Sequence, residues 1–573
     1  MCTHLRTSFF TSSSLVKARS GNRLSLLSGL IRVANVPAVN ASPTRSGLFS
    51  STLESAAGWR VDRLTAPSRL FGANGLRTGP DGRVYIAQVT GSQISALDLG
   101  SGELDAVSPK GSDIVAPDDV AFADDGTLFA TEVMDGRVSA LENGRARVLR
   151  DDLPSANGIT VHRGRLFVGE CREGGRLFEL DPGTGAARLL LEDVPSPNAM
   201  EFGPDGLLYF PVMGANEIWR IDPDQAGPIT VEKVAGDLGV PDAVKFDAQG
   251  QIVSTQVASG QVLRIDPRSG AQTALATLTP GLDNLTFADG RLLVSNFTGE
   301  ITEILDGGHR TLLPGGLNWP LDLAVGADGG LYVADGTYFY RLTPEGALQT
   351  VGMLFSPGYP GFLRGLTPSG ADEFTVTTSG GQVARYRPAA AETEYLADGF
   401  DQLYGVSLAP DGAAVVAELG TGRVLSVRAG EVTELASELA DPVGVSVDAD
   451  GAVLVTESGA GRVVRLGDGG AEPVLEGLVC PQGIVESHGR LYVVDAGSKA
   501  VIEFDPGSGT RHTIAAGLPL GAPAGVTPKP LLGMPPFSGP QGPFAGIAAG
   551  PDRTLFVSAD GDGSVLALRP TDR

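Results

Sequence analysis

Six positions spaced by about forty residues, Asn74, Asp118, Asn157, Asn198, Asp242 and Asp283, carry carboxylate or carboxamide side chains. Such hard oxygen donors suit calcium, magnesium or manganese; one divalent cation is expected, calcium first, with zinc the least matched of the alternatives. Asp119 and Asn284 stand beside two of them. A carboxylate in such a set could also serve as general base toward water. Asn and Asp equally cap turns by bonding nearby backbone amides. The second half of the chain weighs against that bland reading. There the aligned positions read Leu321, Arg364, Tyr404, Val443, Gln482 and Ala545, although the turns are the same.

A further layer near the same face comprises Gln88, Glu132, Glu170, Gln256 and Asn296. Glu132 and Glu170 join Asn74 and Asp118 as candidate substrate-binding residues. Glu418, Glu457 and Asp495 occupy equivalent places in the second half, however, which favours a structural role for this layer. The histidines give no nucleophile relay, because His162 and His488 fall in turns at the opposite ends of their strands. Cys171 follows Glu170 without a histidine nearby, so packing is its expected role.

These residues need a scaffold that brings remote segments to one axis, and the sequence repeats supply it. From about residue 59 onward one pattern recurs: an apolar strand, a Gly turn, a second apolar strand and two more polar-alternating strands. The turns read Pro80-Asp81-Gly82, Asp125-Gly126, Pro204-Asp205-Gly206, Pro410-Asp411-Gly412 and Asp450-Gly451. Asp-Gly provides the positive φ of two-residue hairpins. Each copy reads as one four-stranded blade, and about twelve copies exceed the usual four to eight of a single ring. The expected fold is therefore all-β, as two tandem six-bladed β-propellers.

The boundaries follow: 1–58 as a leader or disordered tail, 59–315 as a first propeller with the metal site, and 316–573 as a second propeller in a supporting or interaction role. The last copy has only three strands. The expected closure has Trp59–Ala66 completing blade six and His309–Pro314 completing blade twelve, which removes exposed edges. Two irregular loops, Phe355–Phe362 and Pro519–Pro543, lie between blades and are expected to cover the mouth of the second ring or to be passive surface.

Composition narrows the function classes. The 573 residues include 79 Gly and 39 Pro, with a net charge of −24. That charge argues against a nucleic-acid partner, and no apolar run reaches the length of a membrane span. A small molecule is the expected partner. Residues 1–50 hold no Asp or Glu. They read as an organellar or export leader, a tail, or sequence upstream of the true start. Three cysteines offer no paired framework, which is compatible with a cytoplasmic location.

The stretches ANGITV (156–161), PNAMEFGPDG (197–206), PDAVKF (241–246) and LDNLTF (282–287) resemble the gluconolactonase/regucalcin and paraoxonase superfamily of six-bladed propellers. The resemblance covers about residues 59–315. It implies that Asn157, Asn198 and Asp242 hold a catalytic divalent metal, with Asp242 also the general base in lactone opening. Asp283 and Asn284 resemble the Asp-Asn ligand pair of paraoxonases. Asn74 stands where the family would have a Glu, and the paraoxonase His pair is absent. The implied activity is a metal-dependent hydrolase acting on a lactone or related cyclic ester. Two rivals remain: an NHL-type binding or scaffold propeller, and a lyase or condensing enzyme resembling strictosidine synthase.

Overall fold

The computed structural model describes residue 45 and residues 52–571 apart from 468 and 536. The leader expected within 1–50 lies outside these residues, save for Arg45. The described chain is all-β. Its only helical segments are two 3-10 turns, Met213–Ala215 and Pro388–Ala390, and no helix is long and apolar enough to cross a membrane.

Twelve sheets of propeller-blade type account for the strands: eleven of four strands and one of five. Strand succession is set locally. At Asp81 the side chain accepts the Arg83 amide at 3.1 Å, while Gly82 takes φ +80°, closing the hairpin between Leu76–Thr78 and Val84–Gln88. The second strand of each blade is buried on both faces, as in VYIAQ at 84–88 and LFATE at 128–132. The outermost strand is exposed on its outer face, as in Ala187–Val194. This gradient from continuous apolar runs to alternation is what blades stacked side by side require.

Eight of the twelve innermost strands share one device. The register slips between Pro117 and Val120, Ala156 and Ile159, Pro241 and Val244, and Leu282 and Leu285. The same slip occurs between Leu363 and Leu366, Leu403 and Val406, Pro442 and Val445, and Pro481 and Ile484. Two residues bulge out each time, which re-aims the first of them. The second is crowded by the next blade. A Cβ on Gly158 would collide with the Asn198 carbonyl, and one on Gly444 with the Gln482 carbonyl.

Adjacent innermost strands touch in chain order. Leu282–Ala288 lies against Leu76–Thr78, and Ile547–Ala549 lies against Asp322–Val325. The closing strands are exchanged relative to expectation. Gly308–Leu313 is the fourth strand of the sheet begun by Leu282–Ala288. Trp59–Arg63 instead pairs with Ser564–Pro570, with Trp59 opposite Pro570 and Arg63 opposite Leu566. The expected assignment of Trp59–Ala66 to blade six, and of His309–Pro314 to blade twelve, is thus overturned. The physical reason is local: the hairpin from Leu305 to Gly308 fills the outer edge of the sixth sheet directly, leaving the last sheet as the open edge. Arg569 to Asp62 at 2.7 Å and an edge contact of Trp59 with Tyr492 fix the added strand. Glu54–Ser55 adds a fifth strand to the preceding sheet.

Candidate functional site

Asn74, Asp118, Asn157, Asn198, Asp242 and Asp283 all line one cavity of about 110 Å³. The bulges deliver Asp118, Asn157, Asp242 and Asp283 there from four separate sheets. All but Asn74 are under 9% exposed, Asn198 at 3% and Asp242 at 4%.

Their hydrogen bonding separates a ligand set from a set of turn caps. Asn74 is a cap: its Oδ1 accepts the Val89 amide at 3.1 Å, and its Nδ2 donates to Asp283 Oδ2 at 3.0 Å. Asn198 Nδ2 is turned toward the Met213 sulfur. The Oδ1 atoms of Asn157 and Asn198 are buried and have no hydrogen-bond partner. Leaving such an acceptor unpaired costs about 1–3 kcal/mol each. Apart from the Asn74 amide on Asp283, no described residue donates to the carboxylates of Asp118, Asp242 or Asp283.

The charges are accordingly unfavourable in the protein alone. Burial, then Asp119, pushes Asp118 up to about 7. Burial, then Asp118 and Asp119, holds Asp242 well above the usual carboxylate range. Asp283 is raised in the same way by burial and by Asp242 and Asp118, with the Asn74 amide opposing. Three acids around two orphaned carboxamide oxygens fit a hard divalent cation. Asn157, Asn198, Asp242 and Asp283 are the residues of this structure that would hold it. No group of three or more His, Cys, Asp or Glu with metal-site spacing occurs among the described residues, so the fit rests on the mixed Asn/Asp set.

Other expected site residues lie elsewhere. Asn284 is outside the cavity. Its Oδ1 accepts the Leu285 amide at 2.8 Å, and its Nδ2 reaches Asp119 at 3.3 Å. Asp119 bonds Val120 and Ile159 amides, and Asp322 in the second half bonds Leu323 and Leu366 amides. Asp119 and Asp322, each just after the aligned cavity position, therefore each tie their own sheet to the next one. Glu132 and Glu170 are also not brought to the cavity. Glu132 accepts the Val115 amide at 2.6 Å and pairs with Arg137. Glu170 pairs with Arg172 and Arg176. Their counterparts Glu418, Glu457 and Asp495 accept the amides of Asp401, Ala440 and Cys480. Glu132 and these counterparts anchor the loop entering their blade, whereas Glu170 is held by its two arginines, and both expected substrate contacts are corrected to structural roles.

The walls were not legible as a site. Phe71, Val133, Met134, Met213 and Phe297 surround the polar set, and Phe355, Phe362, Met534 and Phe537 from the second half roof it. Phe355 stacks on Phe297 at 6.1 Å and leans on Phe537 at 5.8 Å. The loops expected over the second half's mouth thus also cover the first half's acids. The second half's own positions are plugged: Arg364 lies 4.1 Å over the Tyr404 ring and donates to Gln541, and Gln482 accepts the Ala545 amide at 2.7 Å. Cys171 faces the cavity as a neutral thiol, its pKa raised by burial and then by Asp242. No described histidine lines it.

Residues 56–294 match the family model described as the SMP-30/Gluconolactonase/LRE-like region. This stretch is similar to the gluconolactonase-like regions of that family. It contains all six cavity Asp and Asn residues. No curated protein matches the chain. Among solved structures, a putative gluconolactonase is similar at 20% identity, covering 46% of this chain and 99% of that one, with a TM-score of 0.37. A gluconolactonase from Xanthomonas campestris is similar at 17% identity over 46% of this chain and 95% of its own, TM-score 0.36. Regucalcin from Agrobacterium tumefaciens, described as a calcium-binding protein, is similar at 20% identity over 41% and 85%, TM-score 0.34.

Proposed function

We propose that this protein is a divalent-metal-dependent hydrolase that opens a lactone or related cyclic ester in the cavity between its two halves. The observation that carries the reading is the pair of buried, unpartnered Asn157 and Asn198 oxygens beside Asp242. Calcium is the favoured ion, since the donors are all oxygen and one similar protein is described as calcium-binding. The gluconolactonase-like region supports the substrate class.

The scaffold in this proposal is two six-bladed rings, one from residues 74–313 and one from 321–570 completed by Trp59–Arg63. Contact between the first and last innermost strand of each supports ring closure.

A bound cation would supply Lewis-acid polarisation of a carbonyl oxygen and a lowered water pKa, worth several kcal/mol at such sites. Asn157 and Asn198 offer neutral oxygens, while Asp242 and Asp283 offer charge. Asp242 accepts the proton of the attacking water as general base. Asn74 holds Asp283 in place through its amide. Asp118 lines the substrate side, and the phenylalanine and methionine walls exclude bulk water. The test is turnover of a panel of γ- and δ-lactones by purified protein with calcium and with chelator. Hydrolysis that disappears on chelation supports the reading. A cation that binds and stabilises without turnover of any lactone would leave a binding propeller instead.

A further inference from the structure

A second cavity, of about 350 Å³, lies beside the first and shares Phe71 and Thr90 with it. Lys110 projects its ammonium there. The Nζ lies 4.7 Å from the centre of the Phe71 ring and 6.0 Å from that of Trp319, and it has no hydrogen-bond or ion-pair partner among the described residues. Lys110 is half-buried, and an ammonium against aromatic faces is stabilised by the rings only in part. Burial, with Arg45 nearby, lowers its pKa to about 8 against the opposing pull of Asp560.

The other charges facing the cavity are already engaged. Lys529 is paired with Asp113 at 3.6 Å. Asp560 accepts the Gly521 amide at 2.7 Å. The remaining lining is largely apolar, including Ile114, Val115, Trp319 and Leu531. We infer that this cavity is a binding site for an organic carboxylate with an aromatic or aliphatic body, its carboxylate on Lys110 and its body against Phe71 and Trp319. A phosphate dianion needs more donors than one ammonium and would sit against apolar walls, so a monoanion with an apolar body is the better match. The inference stands apart from the lactone reading, although ring opening would produce a molecule of this class.

The experiment is isothermal titration of the full chain with 4-phenylbutyrate in the presence of chelator, which keeps any cation in the first cavity from binding the carboxylate. The neutral amide of the same acid and inorganic phosphate serve as comparisons. Saturable one-to-one binding is expected, with the amide at least about tenfold weaker, the scale of one charge-assisted hydrogen bond. Lys110→Met and Lys110→Gln should each lose about tenfold, while Lys110→Arg keeps most of the affinity. No saturation by about 10 mM, equal binding of the amide or of phosphate, or unchanged affinity in the folded Met and Gln variants overturns the inference. Should both variants fail to fold, the acid and amide comparison on the natural chain decides alone.

Discussion

Asn74 Nδ2 donates to Asp283 Oδ2 at 3.0 Å, joining the first and the last innermost strands of the first half through their side chains. The same Asn74 caps the Val89 amide, so one carboxamide both fixes a loop and steadies an acid of the cavity. Asn74→Asp replaces a donor by a like charge. In chelator it should cost about 1–3 kcal/mol by calorimetric melting, and calcium should recover most of that loss. An unchanged melting temperature in chelator would show that Asp283 needs no donor.

Chelation of the natural protein should lower the melting temperature and abolish lactone turnover together. A cation that binds only the folded state stabilises by about 2.7 kcal/mol at a hundredfold excess over Kd. Calcium or manganese should restore both readouts, and elemental analysis of the purified protein should find close to one divalent ion per chain.

Asp242→Asn keeps shape while removing a charge and a base, so kcat/KM should fall at least about a hundredfold with a small change in stability. Gln482→Ala and Arg364→Ala, in the plugged second half, should leave kcat/KM within about threefold once folding is confirmed. A larger loss from those two than from Asp242→Asn would move the chemistry to the second half.

Stability without metal should fall as pH rises. Asp118 titrates near 3.8 when unfolded and at about 7 when folded. The folded form keeps its proton where the unfolded form has lost it, so the protonated acid adds most stability below about 4. That contribution is gone above about 7. Thermal melts in chelator across this window should show the decline, and calcium should flatten it by stabilising the ionised carboxylates.

Removing residues 1–44 spares Arg45 and every described strand, and should lower the melting temperature less than a cut that reaches Trp59–Arg63. Removing residues 1–64 takes away Trp59–Arg63 and exposes the edge of Ser564–Pro570. That variant should melt lower and aggregate, since an unpaired edge templates association. Equal behaviour of the two truncations would contradict the pairing.

Phe355→Ala opens the roof where Phe355 meets Phe297 and Phe537. Lactones with longer apolar chains should gain in relative kcat/KM over small ones, measured as a ratio within one variant. No shift in that ratio would remove Phe355 from the substrate's surroundings.

Much of this was local and therefore legible in the sequence. The Asp-Gly turns closed hairpins because φ at Gly82 is +80° and the Asp81 carboxylate caps the turn. The position before the crowded second bulge residue was readable as a convergent set because the same bulge recurs in every half while the side chain differs. For Glu132 and Glu170 the recurrence of Glu418, Glu457 and Asp495 already favoured a structural role, yet a carboxylate facing a mouth and one turned to a loop amide or an arginine occupy the same place in the repeat. Only their arginine partners, Arg137, Arg172 and Arg176, tell them apart.

By itself the sequence determined the blades, their strand order and the acids at the bulges, since each depends on residues within one repeat. Tertiary structure alone decided which sheet Trp59–Arg63 completes and that Phe355 and Phe537 roof the Asp242 cavity. Those outcomes depend on which remote edge is left open and which remote surface is apolar, and no local pattern encodes either.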